Sequence, residues 1–305
     1  MSAPPPLLAV PNVSEGRARD TLDAIAESFT AAGGARLLDG HADPDHHRAV
    51  FTLAGAPGAL ADAVLRGAAT AVGRIDVMSG AHSPGAHPPR GEHPHVGAVD
   101  VAPIVYLSES ARGAACAEAL VLAEGVGHEL GVPVFLYGAL AGGRTRAELR
   151  RGGLAGLARR MRAGEQRPDF GPPALHASAG ATLVAAREPL VAFNVELAAP
   201  ASVADARRIA ARIREGGVEG LSGVRAIGVE LHSRAGVAQV STNVERPLEV
   251  PLSAVVAAVR RHADVVAAEI VGLAPRAALT GFPADVALGA FDLARQVIEN
   301  ALGLL

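Results

Sequence analysis

Apolar positions recur along this chain at two spacings, and each change of spacing marks a change of predicted element. In the later half, Leu190 to Leu197 is a short apolar run after Pro189 and predicts a strand. Ser202 then caps a helix to about Glu215, with Val203, Ala206, Ile209, Ala210 and Ile213 on one face and arginines on the other. Val224 to Leu231 and Val237 to Val244 predict two strands joined by a turn at His232 to Gly236. Pro251 opens a helix to about His262, and Val265 to Leu273 closes the unit as a strand. The order β-α-β-β-α-β is the ferredoxin-like split pattern.

The earlier half begins alike. Leu7 to Asn12 reads as a strand, and Asp20 to Thr30 as a helix with Leu22, Ile25, Ala26 and Phe29 on one face. Ala35 to Asp39 and Arg48 to Ala54 read as strands, and Pro57 to Val72 as a helix with Leu60, Val64, Ala68 and Ala71 inward. Ile75 to Met78 is a candidate closing strand. Further elements follow: strand Val99 to Leu107, helix Ser110 to Leu130, strand Val132 to Tyr137, and a polar helix over Arg146 to Arg162. The glycine pairs Gly142-Gly143 and Gly152-Gly153 flank or interrupt that helix and read as helix ends.

The expected fold class is therefore α/β (α+β), with two ferredoxin-like-related subdomains, each a mixed sheet with helices packed on it. Gln166 to Gly180, rich in Pro, Gly and Ser, reads as the linker, dividing the chain into residues 1–180 and 181–305. A ligand cleft or tunnel is expected between the two. Beyond Pro275 only one or two short helices are expected, over Ala284 to Leu305.

Composition narrows the function classes. Half of the 305 residues are hydrophobic but only 3% are aromatic, with no Trp, so the core must be built from Ala, Val, Leu and Ile. A net charge of −3 offers no basic footprint for nucleic acid. Cys116 has no disulfide partner in the chain and reads as a structural thiol in a reducing compartment. The N-terminus lacks the pattern of a signal peptide, and no run approaches the ~20 apolar residues of a membrane span. These readings predict a cytoplasmic, soluble protein.

The segment Arg90-Gly91-Glu92-His93-Pro94-His95-Val96-Gly97-Ala98-Val99-Asp100-Val101 carries the strongest chemical signal. It sets a histidine between an acid and a proline in a turn-rich loop that runs into a strand, where it can be tuned to shuttle a proton near neutral pH. Glu92 either orients His93 or is solvated, and Asp100 is expected to hold the loop backbone.

This segment resembles the Gly-Glu-His-Pro loop of the formiminotransferase family, enzymes of histidine breakdown and folate one-carbon metabolism. The resemblance extends over nearly the whole chain. It takes in Val10 to Arg17, Leu37-Leu38-Asp39, Asp45-His46-His47-Arg48, Val132 to Gly138 and Pro168-Asp169-Phe170-Gly171-Pro172. It continues through Ala192-Phe193-Asn194-Val195, Ala238 to Asn243 and Val271-Gly272-Leu273.

The resemblance implies transfer of a formimino group from N-formimino-L-glutamate to N5 of tetrahydrofolate, in a homodimer without a metal. His93 matches the family's catalytic histidine and is expected to act as base and then acid. Arg48 is a candidate anchor for a glutamate carboxylate. Gly171, Pro172, Ser178 and Gly180 lie in the stretch that matches the part of the family proposed to contact folate. Asn12, Asn194, Thr242 and Asn243 are polar residues in apolar strands, either ligand contacts or satisfied strand groups. His41 and Glu269 complete the expected binding set.

The chain also departs from the family. Ser79 to Pro89 is a His- and Pro-rich insertion, His95 stands where an arginine is common, and His47 replaces an asparagine. His41 replaces an aspartate, Ala179 a tryptophan, and Glu269 a glutamine. Three alternatives are therefore set beside the transferase. The histidines offer metal ligands, though no helical His-x-x-x-His pair is present. A 5-formyltetrahydrofolate cyclo-ligase-like activity would use ATP, though no phosphate-cradling Gly-rich loop followed by Lys is found. The third is a folate-binding relative without catalysis.

Overall fold

The structure, a computed structural model, describes residues 6–79, 94–231, 234 and 236–303. Two compact units divide between Arg187 and Glu188. Among the described residues no helix is long and apolar enough to cross a membrane.

The first unit begins with β1 (Leu7–Ala9) and β2 (Asn12–Val13), one strand interrupted at Val10 and Pro11. Pro11 has no N–H to give to the ladder, although its carbonyl still accepts from Phe51 at 3.0 Å. Then come α1 (Arg19–Thr30), β3 (Ala35–Asp43), β4 (Arg48–Gly55), α2 (Leu60–Arg74) and β5 (Val99–Val105). The unit continues through α3 (Arg112–His128), β6 (Val134–Leu136), α4 (Arg146–Arg150), α5 (Gly153–Arg162) and β7 (Thr182–Arg187). In space the strands run β3, β4, the broken β1 and β2, β5, β7, β6. Pairing is antiparallel as far as β5, whereas β5 with β7 and β7 with β6 are parallel.

Each face of this sheet has its own cover. Ala9, Val13, Phe51, Leu53, Val99, Ala102 and Ile104 share a core with Ile25 and Phe29 of α1, Leu60 and Val64 of α2, and Leu122 of α3. On the other face Val101, Leu183, Ala185, Phe135 and Tyr137 pack with Leu149 of α4 and Leu154, Leu157 and Met161 of α5. The rest of that second face, formed by β2, β3 and β4, carries Asn12, Asp39, His41, Asp43, Arg48 and Thr52 in register. Strand alternation thus gathers the polar positions opposite α1 and α2.

Three expectations are corrected in this unit. Ile75 to Met78 is not a strand, because the Asp76 side chain accepts from the N–H groups of Met78 and Ser79 at 2.8 and 3.0 Å and curls the chain into a turn. The closing strand of the β-α-β-β-α-β motif is β5. The predicted helix Arg146 to Arg162 is two helices, parted where Gly152 and Gly153 take φ of 77° and 60°. Gln166 to Gly180 is not a free linker either: Phe170 and Asp169 pair with Val134, and His176 pairs with Gly180 across a turn. Its glycines serve close packing. A Cβ on Gly127 of α3 would lie 2.8 Å from the Gly171 nitrogen, and Gly171 itself has φ of 80°.

The second unit matches its predicted elements closely. It runs β8 (Val191–Leu197), α6 (Val203–Ile213), β9 (Val224–Leu231), β10 (Val237–Val244), α7 (Leu252–Arg260) and β11 (Val265–Val271). A short β12 (Ala287–Leu288) and the helices α8 (Leu293–Gln296) and α9 (Ile298–Leu302) follow. The sheet order is β12, β11, β8, β10, β9. Ser202 and Asp205 form a capping box at α6, and those hydrogen bonds with the ion pair to Arg208 hold the Asp205 carboxyl down at about 2. Val191, Phe193, Val195 and Leu197 alternate onto Ile209, Ile213, Val255 and Val259 of the two helices.

One buried carboxylate joins the helices of the first unit. No side chain of α2 caps its own N-terminus. Instead Glu118 of α3, 6% exposed, accepts from the N–H of Gly58 and, at 2.7 Å, from that of Ala61. A negative charge there also meets the positive end of the helix dipole. Removing it orphans two backbone donors, each costing roughly 1–3 kcal/mol. Glu118→Ala is expected to lower the melting temperature by about 5 °C or more, with Glu118→Gln intermediate. A melt within a degree of wild type would remove Glu118 from this role.

Candidate functional site

The polar face of the first unit centres on Asp100. Between β2 and β5 the register shifts, Asn12 facing Val101 and Val13 facing Val99, so Asp100 lies in a bulge. The bulge turns it to the same side as Val101, while Val99 and Ala102 stay on the helix-covered side. There Asp100, wholly buried, accepts from Val96 N at 2.9 Å through one oxygen. The other oxygen takes Arg48 Nη1 at 2.8 Å together with Arg150 Nη2. Asp100 therefore holds the loop backbone, as expected, and also joins β4 to α4.

The short α4 is fixed at both ends. Thr145 and Glu148 form a capping box at its start. At its finish Arg160 of α5 donates to the carbonyls of Leu149, at 2.7 Å, and Arg151. Spacing by four residues sends Arg146 and Arg150 from one helix face. The guanidinium carbon of Arg146 stands over the ring of Tyr137, 5.8 Å from its centroid. Burial lowers the Arg48 pKa to about 10: Asp100 raises it, while the charges of Arg150 and Arg146 push it further down. It remains a cation at neutral pH. Tyr137 is 6% exposed and its hydroxyl, among the described residues, makes no hydrogen bond.

Around this clamp the chain is stitched closely. Ser14 N donates to Ala98 O, Ala98 N to Ala179 O, Ala181 N to Val96 O and Val77 N to Ser178 O, all at 2.8–2.9 Å. Gly97 crosses the backbone so closely that a methyl group would strike the Ala181 carbonyl. His176 Nδ1 accepts from Ala179 N at 3.0 Å and Ser178 N at 3.3 Å, which closes the turn ending at Gly180. Ser178 and Gly180 thus adjoin both Val77 and Val96. His93 and Glu92, with His82 and His87 of the insertion, lie outside the described residues. Ala179, where the family has a tryptophan, packs into the helix-covered core.

Of the other expected residues, Asn12, His41 and Arg48 share the polar face, with His41 opposite Val50 and Arg48 opposite Asp43. His47 has φ of 47°. Asparagine would adopt that left-handed conformation more readily than histidine does. Its imidazole lies 3.5 Å from Glu15. Burial disfavours the charged Glu15, but the N–H groups of Ala18 and Arg17 and the charge of His47 outweigh it and hold its carboxyl below the usual value.

In the second unit the side of the sheet away from α6 and α7 carries Asn194, Glu196, Gln239, Ser241, Asn243 and Glu269. Asn194 lies opposite both Ser241 and Glu269, and its amide donates to Glu269 Oε2 at 3.0 Å. Glu196, 3% exposed, pairs with Arg234. Thr242 differs: it lies on the core side, and its hydroxyl donates to Phe193 O at 2.6 Å. Sequence reading passed over Arg146, Arg150, Glu196 and Gln239. The alternation of β8 and β10 could have found the last two, and the spacing by four residues the first two.

The clamp should break as a unit. Asp100→Asn leaves Arg48 and Arg150 as neighbouring buried cations, and removing one partner of such a group costs roughly 3–5 kcal/mol. The expected fall in melting temperature is on the order of 10 °C. Adding Arg150→Met should restore part of it. An unchanged melt for Asp100→Asn would show that the clamp does not hold the fold.

Comparison with known proteins agrees with this architecture. Residues 7–187 match a family profile described as the formiminotransferase domain, N-terminal subdomain, and residues 192–284 one described as the formiminotransferase domain. The glutamate formimidoyltransferase of Streptococcus pyogenes serotype M1 is 34% identical over 306 residues, spanning 96% of this chain and 97% of that protein. That of Thermoplasma acidophilum is 33% identical, with 88% of each chain covered. The formimidoyltransferase-cyclodeaminase of Rattus norvegicus is 36% identical over 88% of this chain, which spans only 50% of that longer protein. With both subdomain profiles matched in order, and a relative aligned over almost its whole length, this chain belongs to the formiminotransferase family.

Proposed function

We propose that this protein moves the formimino group of N-formimino-L-glutamate to N5 of tetrahydrofolate, giving 5-formiminotetrahydrofolate and L-glutamate, as a cytoplasmic homodimer in histidine breakdown. The observation that carries this reading is the near full-length match to a relative named glutamate formimidoyltransferase. Tetrahydrofolate is a second substrate rather than a resident cofactor.

The chemistry asks for few groups. N5 attacks the formimino carbon, the new N–C bond forms, and N5 gives up its proton. The bond from that carbon to the glutamate nitrogen then breaks, and the departing nitrogen takes a proton. One histidine, accepting the first and returning the second, balances the step, and His93 is the residue assigned to it. Asn12, His41 and Arg48 are assigned to substrate contact, a reading supported by their shared polar face. Gly171, Pro172, Ser178 and Gly180 are assigned to the folate side. Asn194, Asn243 and Glu269 are assigned to contacts made by the second unit, which their common sheet face supports.

The test is a spectrophotometric assay with tetrahydrofolate and formiminoglutamate, run beside one with 5-formyltetrahydrofolate and ATP. Turnover in the first is expected. Turnover only in the second would replace the reading with a cyclo-ligase-like one, and calorimetric folate binding without turnover in either would make the protein a binding relative. His93→Ala is expected to lower kcat about 100-fold or more while the folate Kd changes much less. The wild-type rate should also fall at acid pH, where the base is protonated. A variant that keeps most of the rate would remove His93 from the role.

A further inference from the structure

The outward faces of the helices on the first sheet differ in kind. On α1 the exposed positions are Arg19, Asp20, Asp23, Glu27 and Thr30, all polar, as a solvated face requires. On α3 the exposed positions from Gly113 to Val121 are Gly113, Ala117, Leu120 and Val121, with no charge among them. Leu120 is 39% and Val121 55% exposed. One exposed leucine means little, but a run of apolar positions along one helix face marks a contact surface. The inner side of α3 is apolar as well, with Ala115, Ala119, Leu122 and Val126 in the core. A helix apolar all round is expected to be covered on every side. Charge is confined to its two ends. Arg112 opens the helix, and Glu124, His128 and Glu129 stand exposed at its finish. There α2 and α3 form a groove of about 210 Å³, lined among others by Asp62, Leu65, Val121, Glu124, His128 and Glu129. Among the described residues its lining holds no arginine. Glu124 and Glu129 lie toward the negative end of the α3 dipole, where a cation is favoured and a carboxylate is not.

We propose that this face of α3 docks on the same face of a second copy of the chain, the two helices running antiparallel about a twofold axis near Leu120 and Val121. The proposal gives a surface to the homodimer named above and rests on that part of the reading, not on its chemistry. What singles out a second copy is that the face fits its own reverse. Antiparallel pairing about that axis lays Leu120 against Val121 and sets Arg112 of one helix level with Glu129 of the other. The arginine end and the carboxylate end then meet twice, once on each side of the axis. Arg112 of each copy brings the acidic groove of the other the cation that its lining lacks. Parallel pairing would set like charges together. A basic helix of another protein would suit the groove but leave the Arg112 end unmatched. The small residues Gly113 and Ala117 let two helix axes approach closely, and a contact of this symmetry closes on itself.

The test is sedimentation equilibrium of the full chain across a wide concentration range, with far-ultraviolet circular dichroism to check that each variant is folded. Wild type should dimerise. Val121→Glu sets like charges beside the axis, at a side chain more exposed than not within one copy, and should raise the dimer Kd about tenfold or more. Arg112→Glu turns each end contact into a repulsion and should also raise it about tenfold. Combining Arg112→Glu with Glu129→Arg exchanges the two charges and should return the Kd to within about threefold of wild type. That rescue is specific to the antiparallel self-contact, and it decides the matter even if Val121→Glu fails to fold. A wild type that stays monomeric would overturn the proposal. So would a dimer whose Kd is the same in both single variants, or one that the charge exchange does not restore. A dimer weakened and rescued as expected, in a protein that shows no formimino transfer, would keep the interface while the transferase reading fails. Formimino transfer by a monomer would do the reverse.

Discussion

A single buried carboxylate organises the polar side of the first unit. Asp100 is reached by β4 through Arg48, by α4 through Arg150 and by the preceding chain through Val96. Ionised and wholly enclosed, it would be untenable alone, and so would either arginine. The group is stable only when complete. That condition places Arg48 and α4 together on one face of the sheet, and it anchors the chain that leaves the histidine-bearing segment.

A bulge makes the arrangement possible. In a regular strand Asp100 and Val101 would point to opposite sides. The extra residue opposite β2 turns both toward α4 and α5 and leaves Val99 and Ala102 in the core. The same strand can then close an apolar core and present a charge. The second unit reaches a comparable result by alternation alone: Asn194, Glu196 and Glu269 lie opposite the apolar side that Phe193 and Val195 give to the helices.

The second unit was legible because its signals are local. Ser202 announces α6, and the two predicted strands beside His232 to Gly236 read as a hairpin from their own pattern. The first unit hid its closing strand behind a long connection. Ile75 to Met78 offers an apolar start at the right place, and only the Asp76 side chain, bonded to the next N–H groups, shows why it turns instead. Arg48 could be suspected because it ends a recognisable Asp-His-His run. Arg146 and Arg150 gave only the weaker signal of their spacing by four, since a surface arginine and one that reaches a buried carboxylate, as Arg150 does, look alike in a polar helix. Gln166 to Gly180 misled for a related reason: glycines and prolines needed for close backbone approach have the composition of a flexible tether.

The insertion of β7 between β5 and β6 has a consequence for how the first unit assembles. Its neighbours pair with it and not with each other, and it is the last strand of the unit along the chain. As the chain emerges, the earlier strands can gather on α1 and α2, but β6 has no strand to join until residues 182–187 arrive. Parallel pairing across such separations closes slowly, because the loops must be ordered before the contacts reward them. The helices α4 and α5 fall within the stretch that waits. Leu149 of α4 packs with Leu183 and Ala185 of β7, so the surface that seats the arginine-bearing α4 is complete only once that last strand is in place.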